Sequence, residues 1–386
     1  MTKWPMVPLG EVVKMDTSAT PVHANQEYPN FGIYSFGRGL FAKSPISGAT
    51  TSAKSLYQVR AGQFIYSRLF AFEGAYGLVG AEFDGCFISN EYPHFDCDPK
   101  KLNPAFLATY FRWQKAWEQA AMLSTGMGDR RRRIQPDQLL KMTIPLPPLK
   151  EQQRQIEYLD ALRAKIDEAT LMTKDTEQKS RDLLLSAFFQ ITEDAPRLRL
   201  GDIAPLVRRQ AIVDPRSEYP GVSVRSFGKG TFHTPVLQGS DITWQKPYLV
   251  KAGDILISNI KAWEGAIAVA EADDDSRYGS HRYLTYVPSS GTVTPRFLCF
   301  YLLTSEGLHH IGEVSPGSAD RNRTTSSKGV LEIPVPLPRY QSQLWFDELF
   351  EKAQAVKKLQ VETLTQQESL LPRVLDKLFN CERHHV

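Results

Sequence analysis

The sequence predicts an α+β protein: two similar mixed α/β domains separated by two long antiparallel coiled-coil helices, with a pseudo-twofold internal repeat. Three observations predict this. The chain repeats itself at an offset of 191 residues; each copy opens with short strands broken by glycine and proline; and each copy ends in a proline-rich strand followed by a long amphipathic stretch. The predicted boundaries are a first domain over 1–148, a first spacer helix over 149–193, a second domain over 194–338, a second spacer helix over 339–381, and a tail over 382–386.

The repeat fixes the rest. Tyr28-Pro29 meets Tyr219-Pro220, SFGRG (35–39) meets SFGKG (226–230), and LGEV (9–12) meets LGDI (200–203). VRAGQFIYSR aligns with VKAGDILISN, and Ala71-Phe72-Glu73-Gly74-Ala75 with Ala262-Trp263-Glu264-Gly265-Ala266. From Tyr28 to Tyr92 roughly 19 of about 65 positions are identical without a gap, far beyond chance. Within each copy, Gln63-Phe64-Ile65-Tyr66 and Asp254-Ile255-Leu256-Ile257 read as strands started by an Ala-Gly turn. Apolar residues every three or four positions predict helix over Pro104–Leu123 and Pro295–Leu308, with Asn103 and Thr294 as N-caps ahead of a first-turn proline.

The long helices follow from IPLPPLKEQQRQI (144–156) and its near-copy 189 positions later, IPVPLPRYQSQLW. A residue before proline is held out of the helical region, so these segments stay extended and release the chain into a helix only afterwards. The stripe then runs through Ile156, Leu159, Ile166 and Leu183 in the first helix, and through Leu349, Val356, Leu370 and Val374 in the second. Neither helix is stable alone at this polarity. A zipper between two copies of the chain competes with an internal pair, but two helices of matched length in one chain meet at high effective concentration, which favours the internal antiparallel coil. Pro372 is expected to kink the second helix.

Composition bounds the function. With 42% apolar and 23% charged residues the chain reads as globular, with no apolar run of bilayer length and hence no membrane span. Four cysteines scattered without CxxC spacing and an N-terminus without a secretory pattern fit a reducing cytoplasm. The net charge of +3 hides a split: residues 151–193 carry six basic against nine acidic side chains and 339–386 seven against seven, leaving the two domains about +6. Arg197 to Lys229 is strongly cationic, and Arg130–Arg133 is an unbroken basic run, a pattern that suits a polyanion.

Catalytic constellations are missing. FGRG at 36–39 resembles a nucleotide-binding glycine turn, but it recurs as FGKG, as a structural turn does. Asn103-Pro104-Ala105-Phe106 lacks the second proline of an amino-methyltransferase element. The histidine pairs His309-His310 and His384-His385 have no third ligand at metal spacing, so no metal site is expected. The chain is predicted not to be an enzyme.

The best candidates for nucleic-acid contact are the matching loops before each proline strand, carrying Arg130, Arg131, Arg132 and Arg133 in one copy and Arg321, Asn322 and Arg323 in the other. Arg38 with Lys229, and Arg68 with Asn259, occupy equivalent positions and form a second tier. Glu73 and Glu264, identical in both copies, point to structure rather than to distinct readout.

Two similar blocks alternating with two long helices, each helix introduced by an IPLPPL-type strand and a nearby glutamine, resemble the specificity subunit of type I restriction-modification systems. Trp4 with LGEV, IPLPPLKEQQRQI, LGDI, IPVPLPRYQSQL and LLPRVLDKLF (370–379) carry the resemblance, which covers the whole chain. The second copy departs from it at Arg339-Tyr340-Gln341, where the family usually has an acidic residue before the glutamine. The resemblance implies that each block is a target recognition domain reading one half of a split double-stranded DNA target, and that the coil sets the gap. It further implies two methylation subunits carrying the adenine N6-methyltransferase site and S-adenosylmethionine, and up to two restriction subunits supplying ATP- and magnesium-dependent translocation and cleavage. No cofactor is expected in this chain. A recognition module of a fused restriction-methylation enzyme, and an adaptor with two protein-binding domains and no DNA contact, are the competing readings. A helix of about 40 residues rises about 60 Å, under two turns of B-DNA at roughly 34 Å each, so both half-sites would lie on one short duplex.

Overall fold

The computed structural model describes residues 4–123, 133–243, 246–317 and 323–380. Packing divides the chain into two compact units, Met1–Lys174 with Val361–Val386, and Asp175–Gln360. Each unit therefore holds one globular block and part of both long helices, Leu149–Thr192 and Tyr340–Phe379.

In the first unit the central antiparallel sheet has the order Val13–Met15, His94–Cys97, Phe64–Tyr66, Tyr76–Leu78. In the second unit Ile267–Val269, Ile255–Ser258 and Tyr283–Tyr286 repeat three of these strands, and a single bridge from Leu206 to Tyr286 stands where Met15 pairs with Phe95. A hairpin accompanies each sheet, Glu27–Ile33 with Leu40–Ser47 in the first unit and Glu218–Val224 with Thr231–Gln238 in the second, where Tyr278–Gly279 and Tyr248–Leu249 extend it to four strands. Each is bulged after its tyrosine, Tyr28 or Tyr219. Each of these tyrosines is buried, and its hydroxyl accepts a backbone N–H from the loop before it, His23 or Asp214.

The helical stretches differ from the sequence expectation by one break each. Pro104–Tyr110 is followed by Gln114–Met122, and Pro295–Leu303 by Ser305–Glu313. In the second unit the cause is Thr304, which takes extended backbone and caps the next helix by accepting from Gly307 N at 3.1 Å. A threonine hydroxyl that can bond locally competes with helix continuation in this way. The predicted caps are present: Asn103 Oδ1 accepts from Ala105 N at 2.9 Å, and Thr294 Oγ1 from Phe297 N at 3.3 Å.

The proline segments are edge strands closed by the start of each repeat. Thr143–Pro145 pairs with Met6–Pro8, and Pro334–Pro336 with Arg197–Arg199. This pairing corrects the register of the repeat. Ile144 sits opposite Val7 and Val335 opposite Leu198, so the equivalent of Ile144 is Val335, not Ile333, and the offset is 191 here as elsewhere. The 189-residue match aligned like letters, whereas the ladder aligns the residues that share a bonding partner. The LG motifs lie in the same joint: Leu9 N and Leu200 N donate to Met142 O and Ile333 O, and both leucines are fully buried. A Cβ at Gly201 would stand 3.1–3.2 Å from Leu331, which explains a glycine there.

Within each unit the long helices run antiparallel. In the first, Ile156 and Leu159, early in one helix, share a core with Leu375 and Phe379, late in the other, and Thr170 Oγ1 donates to Gln367 Oε1 at 3.3 Å. In the second, Leu184, Ala187 and Phe188 share a core with Phe346, Leu349 and Phe350. Ile166, Leu349 and Val374 are half-buried, but Leu183, Val356 and Leu370 are exposed, and the stripe runs instead through Leu184 and Leu375. The reason is that these helix ends face a globular block as well as a helix. Phe188 packs on Phe297, Phe300, Tyr301 and Phe346 with ring centroids 5.1–6.4 Å apart. Phe379, its equivalent 191 residues on, packs on Trp4, Phe106, Tyr110 and Trp113 at 5.2–6.4 Å. Each helix starts on its own block and ends in the core of the other unit. The second helix is continuous through Pro372.

Asp347, at the start of the second helix, accepts from Thr294 Oγ1 at 3.1 Å. Burial pushes its carboxyl up to about 6, against the opposing pull of Thr294 and Arg296, while Glu351 adds to the rise. A raised carboxylate binds its proton more readily folded than unfolded, so stability falls as pH rises from about 4 to about 6. In denaturant titrations across that window, Asp347→Asn is expected to remove this component of the slope while keeping the acceptor for Thr294.

Candidate nucleic-acid interface

Two structural devices position the candidate residues. The first is the hairpin tip. Phe36 and Gly37, and equally Phe227 and Gly228, take left-handed backbone with φ between 62° and 65°. The conformation is costly for phenylalanine, by about 1–2 kcal/mol, and it is held by the Ala-aromatic-Glu-Gly-Ala element. Phe36 N and Gly37 N donate to Glu73 O and Gly74 O at 2.7 and 3.0 Å; Phe227 N and Gly228 N donate to Glu264 O and Gly265 O at 2.8 and 2.9 Å. The carboxylates accept from Ser35 Oγ and Ser226 Oγ at 3.0 and 3.1 Å. Lys261 beside Glu264, with the Ser226 hydroxyl, holds that carboxyl below its ordinary range. Glu73 and Glu264 are thus the clasp of the hairpin, which is why both copies keep them.

The clasp sets out aromatic and cationic side chains together. Phe36 and Phe227 are 63% and 71% exposed, among the most exposed large apolar side chains described. The Arg38 guanidinium lies 4.9 Å from the Tyr34 ring and 5.9 Å from Phe36, with Nε donating to Ser35 O. Lys229 Nζ lies 5.7 Å from the Phe227 ring. Such pairing orders a cation without removing its charge from solvent.

The second device is a junction of three segments at the end of the central strand. Arg68 N donates to Glu91 O at 2.9 Å, and Ile134 N donates to Arg68 O at 3.0 Å. In the second unit Asn259 N donates to Arg282 O at 2.8 Å, and Thr325 N donates to Asn259 O at 2.6 Å. Every partner is displaced by 191. Ile134 and Thr325 are both buried at this junction.

On this common backbone the side chains differ. Arg68 donates to Gln135 Oε1 at 2.6 Å and to Asn90 O at 3.4 Å, and Arg133 pairs with Glu91 at 3.3 Å. In the second unit Asn259 replaces Arg68, Arg282 replaces Glu91 and Thr324 replaces Arg133. Arg323 is committed to the fold: it donates to Ser315 O and Gly312 O at 3.2 and 3.3 Å and lies 4.8 Å from the Trp263 ring. Arg130, Arg131, Arg132, Arg321 and Asn322 lie outside the described residues. Glu91 and Arg282 were not picked out from sequence, although the alignment at offset 191 already set Asn90-Glu91 against His281-Arg282. Among the described residues no cluster of three or more His, Cys, Asp or Glu could hold a metal ion, and no helix is long and apolar enough to cross a membrane.

Residues 1–174 match the family profile described as type I restriction modification DNA specificity domain. That segment, somewhat less than half of the chain, is what is similar to the DNA specificity domain of type I restriction-modification systems. The match ends at Lys174, where the first segment of the first unit also ends. The fold of this chain also recurs in solved structures. The crystal structure of an HsdS subunit from Thermoanaerobacter tengcongensis aligns over 98% of this chain and 97% of its own, with 20% identity and a TM-score of 0.63. A chain from a structure described as giving the structural basis of complex assembly and conformational transition of the type I R-M system aligns over 97% of each chain, with 19% identity and a TM-score of 0.70. No curated protein matches this chain in sequence. At such identity the structural likeness speaks for the fold: two similar mixed α/β domains with two long antiparallel helices.

Proposed function

We propose that this chain is a type I restriction-modification specificity subunit that reads a bipartite, asymmetric double-stranded DNA target, one unit per half-site, and brings methylation subunits to an adenine within it. The observation that supports this reading best is the junction at Arg68 and Asn259, where one backbone framework occurs twice with different polar side chains. Two identical readers would select a palindrome; two related but distinct readers select two different words. The chain itself supplies no catalysis in this account. Two methylation subunits carry S-adenosylmethionine and the transfer chemistry, and restriction subunits, where they join, carry ATP and magnesium.

The coil acts as the spacer through Ile156, Leu159, Ile166, Leu184, Leu349 and Leu375. Matched seven-residue insertions after Met172 and after Glu362 would add about 10 Å of helix, or two to three base pairs at roughly 3.4 Å each. The gap is expected to lengthen while both words stay the same. An altered word in sequenced modification sites would count against a spacer role.

DNA contact is tested by gel shift with the methylation subunits present. Affinity for a target duplex is expected to fall steeply between about 50 and 200 mM salt, as phosphate neutralisation requires. Salt-independent retention, or none at low salt, would point to a protein-binding adaptor instead.

A further inference from the structure

The three-segment junction carries more than a general DNA contact. Its backbone is duplicated, but at each equivalent position the side chain changes charge or type: Arg68 against Asn259, Glu91 against Arg282, Arg133 against Thr324. The hairpin clasp behaves in the opposite way, keeping Ser, Phe, Gly and Glu in both units. A framework that is conserved internally while its polar tips diverge is what two readers of different words require. Elements that only support the fold have no such reason to diverge.

A second observation comes from hydrogen-bond accounting. Few buried side-chain polar atoms lack a partner among the described residues, and three of them are Arg68 Nε, Glu91 Oε2 and Asn259 Oδ1. All belong to this junction, on the same two equivalent positions or their direct neighbour. An unpaired buried polar atom costs about 1–3 kcal/mol, and folded proteins tolerate few of them. Their gathering at one place in both units marks a junction that the chain's own groups leave short of partners. Exposed cations, Arg133 and Arg282, stand at the same place.

We infer that this junction discriminates base pairs, with Arg68, Glu91 and Arg133 reading in the first unit and Asn259 and Arg282 in the second. The assignment rests on the function proposed above and deepens it from contact to readout. Guanidinium groups donate to guanine O6 and N7, a carboxylate accepts from the cytosine amino group, and an amide bonds adenine on two atoms. Arg68 or Arg133 beside Glu91 therefore suits a G·C pair in one half-site. Asn259 beside Arg282 suits an adenine neighbouring a guanine in the other.

The test uses the full-length chain co-expressed with its methylation subunits, with modified adenines mapped across the host genome for wild type, Arg68→Gln and Asn259→Ala. Arg68→Gln is expected to lower the preference for a G·C pair at one position of one half-site by at least about tenfold, with the other word and the gap unchanged. Asn259→Ala is expected to relax an adenine position in the other half-site alone. Unchanged words in both variants would overturn the assignment. So would an equal loss of modification at all sites with both words kept, which is what a folding or positioning role produces. If wild type itself directs modification to no split word, the proposed function fails and the assignment falls with it. A split word that survives both substitutions removes only the assignment.

Discussion

Replacing Gln343 by leucine is expected to destabilise the second unit by roughly 3–5 kcal/mol. The side chain is fully buried and saturated: Oε1 accepts from Thr294 N at 2.9 Å, and Nε2 donates to Thr292 O at 3.1 Å and to Pro338 O at 2.9 Å. One amide thus ties the end of the proline strand, the loop before Pro295–Leu303 and the long helix into a single joint. Leucine fills the volume but leaves one donor and two acceptors buried without partners. Gln152 makes the same three bonds in the first unit, to Asn103 N, Lys101 O and Pro147 O, each at 2.8 Å, so Gln152→Leu should do there what Gln343→Leu does in the second. Hydrogen exchange resolved by unit checks both. Faster exchange confined to the unit that carries the substitution is the expected outcome, and unchanged protection would mean that water replaces the lost bonds. Gln343→Glu should be worse at neutral pH, since it sets a carboxylate against two carbonyls.

Phe188→Ala and Phe379→Ala are expected to cost about 3–5 kcal/mol each, the range for emptying a packed aromatic site. Their interest lies in where the loss falls. Phe188 belongs to the helix that begins against the first block, yet its ring sits among Phe297, Phe300, Tyr301 and Phe346 in the second unit. Phe379 ends the helix that begins against the second block and sits among Trp4, Phe106, Tyr110 and Trp113 in the first. Limited proteolysis should therefore show Phe188→Ala opening residues 200–335 and Phe379→Ala opening residues 4–145. The reverse pattern, or equal opening of both, would contradict the exchange of helix ends between units.

Much of this was legible in the sequence because the chain states its plan twice. The repeat, the strand starts at Gln63 and Asp254, the caps at Asn103 and Thr294 and the antiparallel coil needed only local rules and one alignment. What was not legible depended on partners distant in sequence. The string IPxP matched best at 189, but pairing of Ile144 with Val7 and of Val335 with Leu198 fixes 191. With that register the glutamine that answers Gln152 is Gln343, and the departure noted at Gln341 moves to Ser342, outside the buried joint. The coil stripe was displaced at its ends because a heptad pattern anticipates a helix as partner, while Leu184 and Phe188 also face aromatic rings of a globular block. The duplication of Glu73 and Glu264 pointed to structure, and both do hold the hairpin, but the strained Phe36 and Phe227 they secure became visible only with backbone angles. The junction at Arg68 and Asn259 was half visible: the pair was found, but Glu91 and Arg282 join it through backbone bonds that no spacing rule reveals.

In the proposed function, two related units of one chain read two different words at a fixed separation. Mapping modified adenines in a host that expresses the wild-type chain with its methylation subunits tests this most directly. One motif made of two unlike short words around a constant unread gap is the expected result. A single uninterrupted word, a palindrome, or two words at variable separation would contradict it.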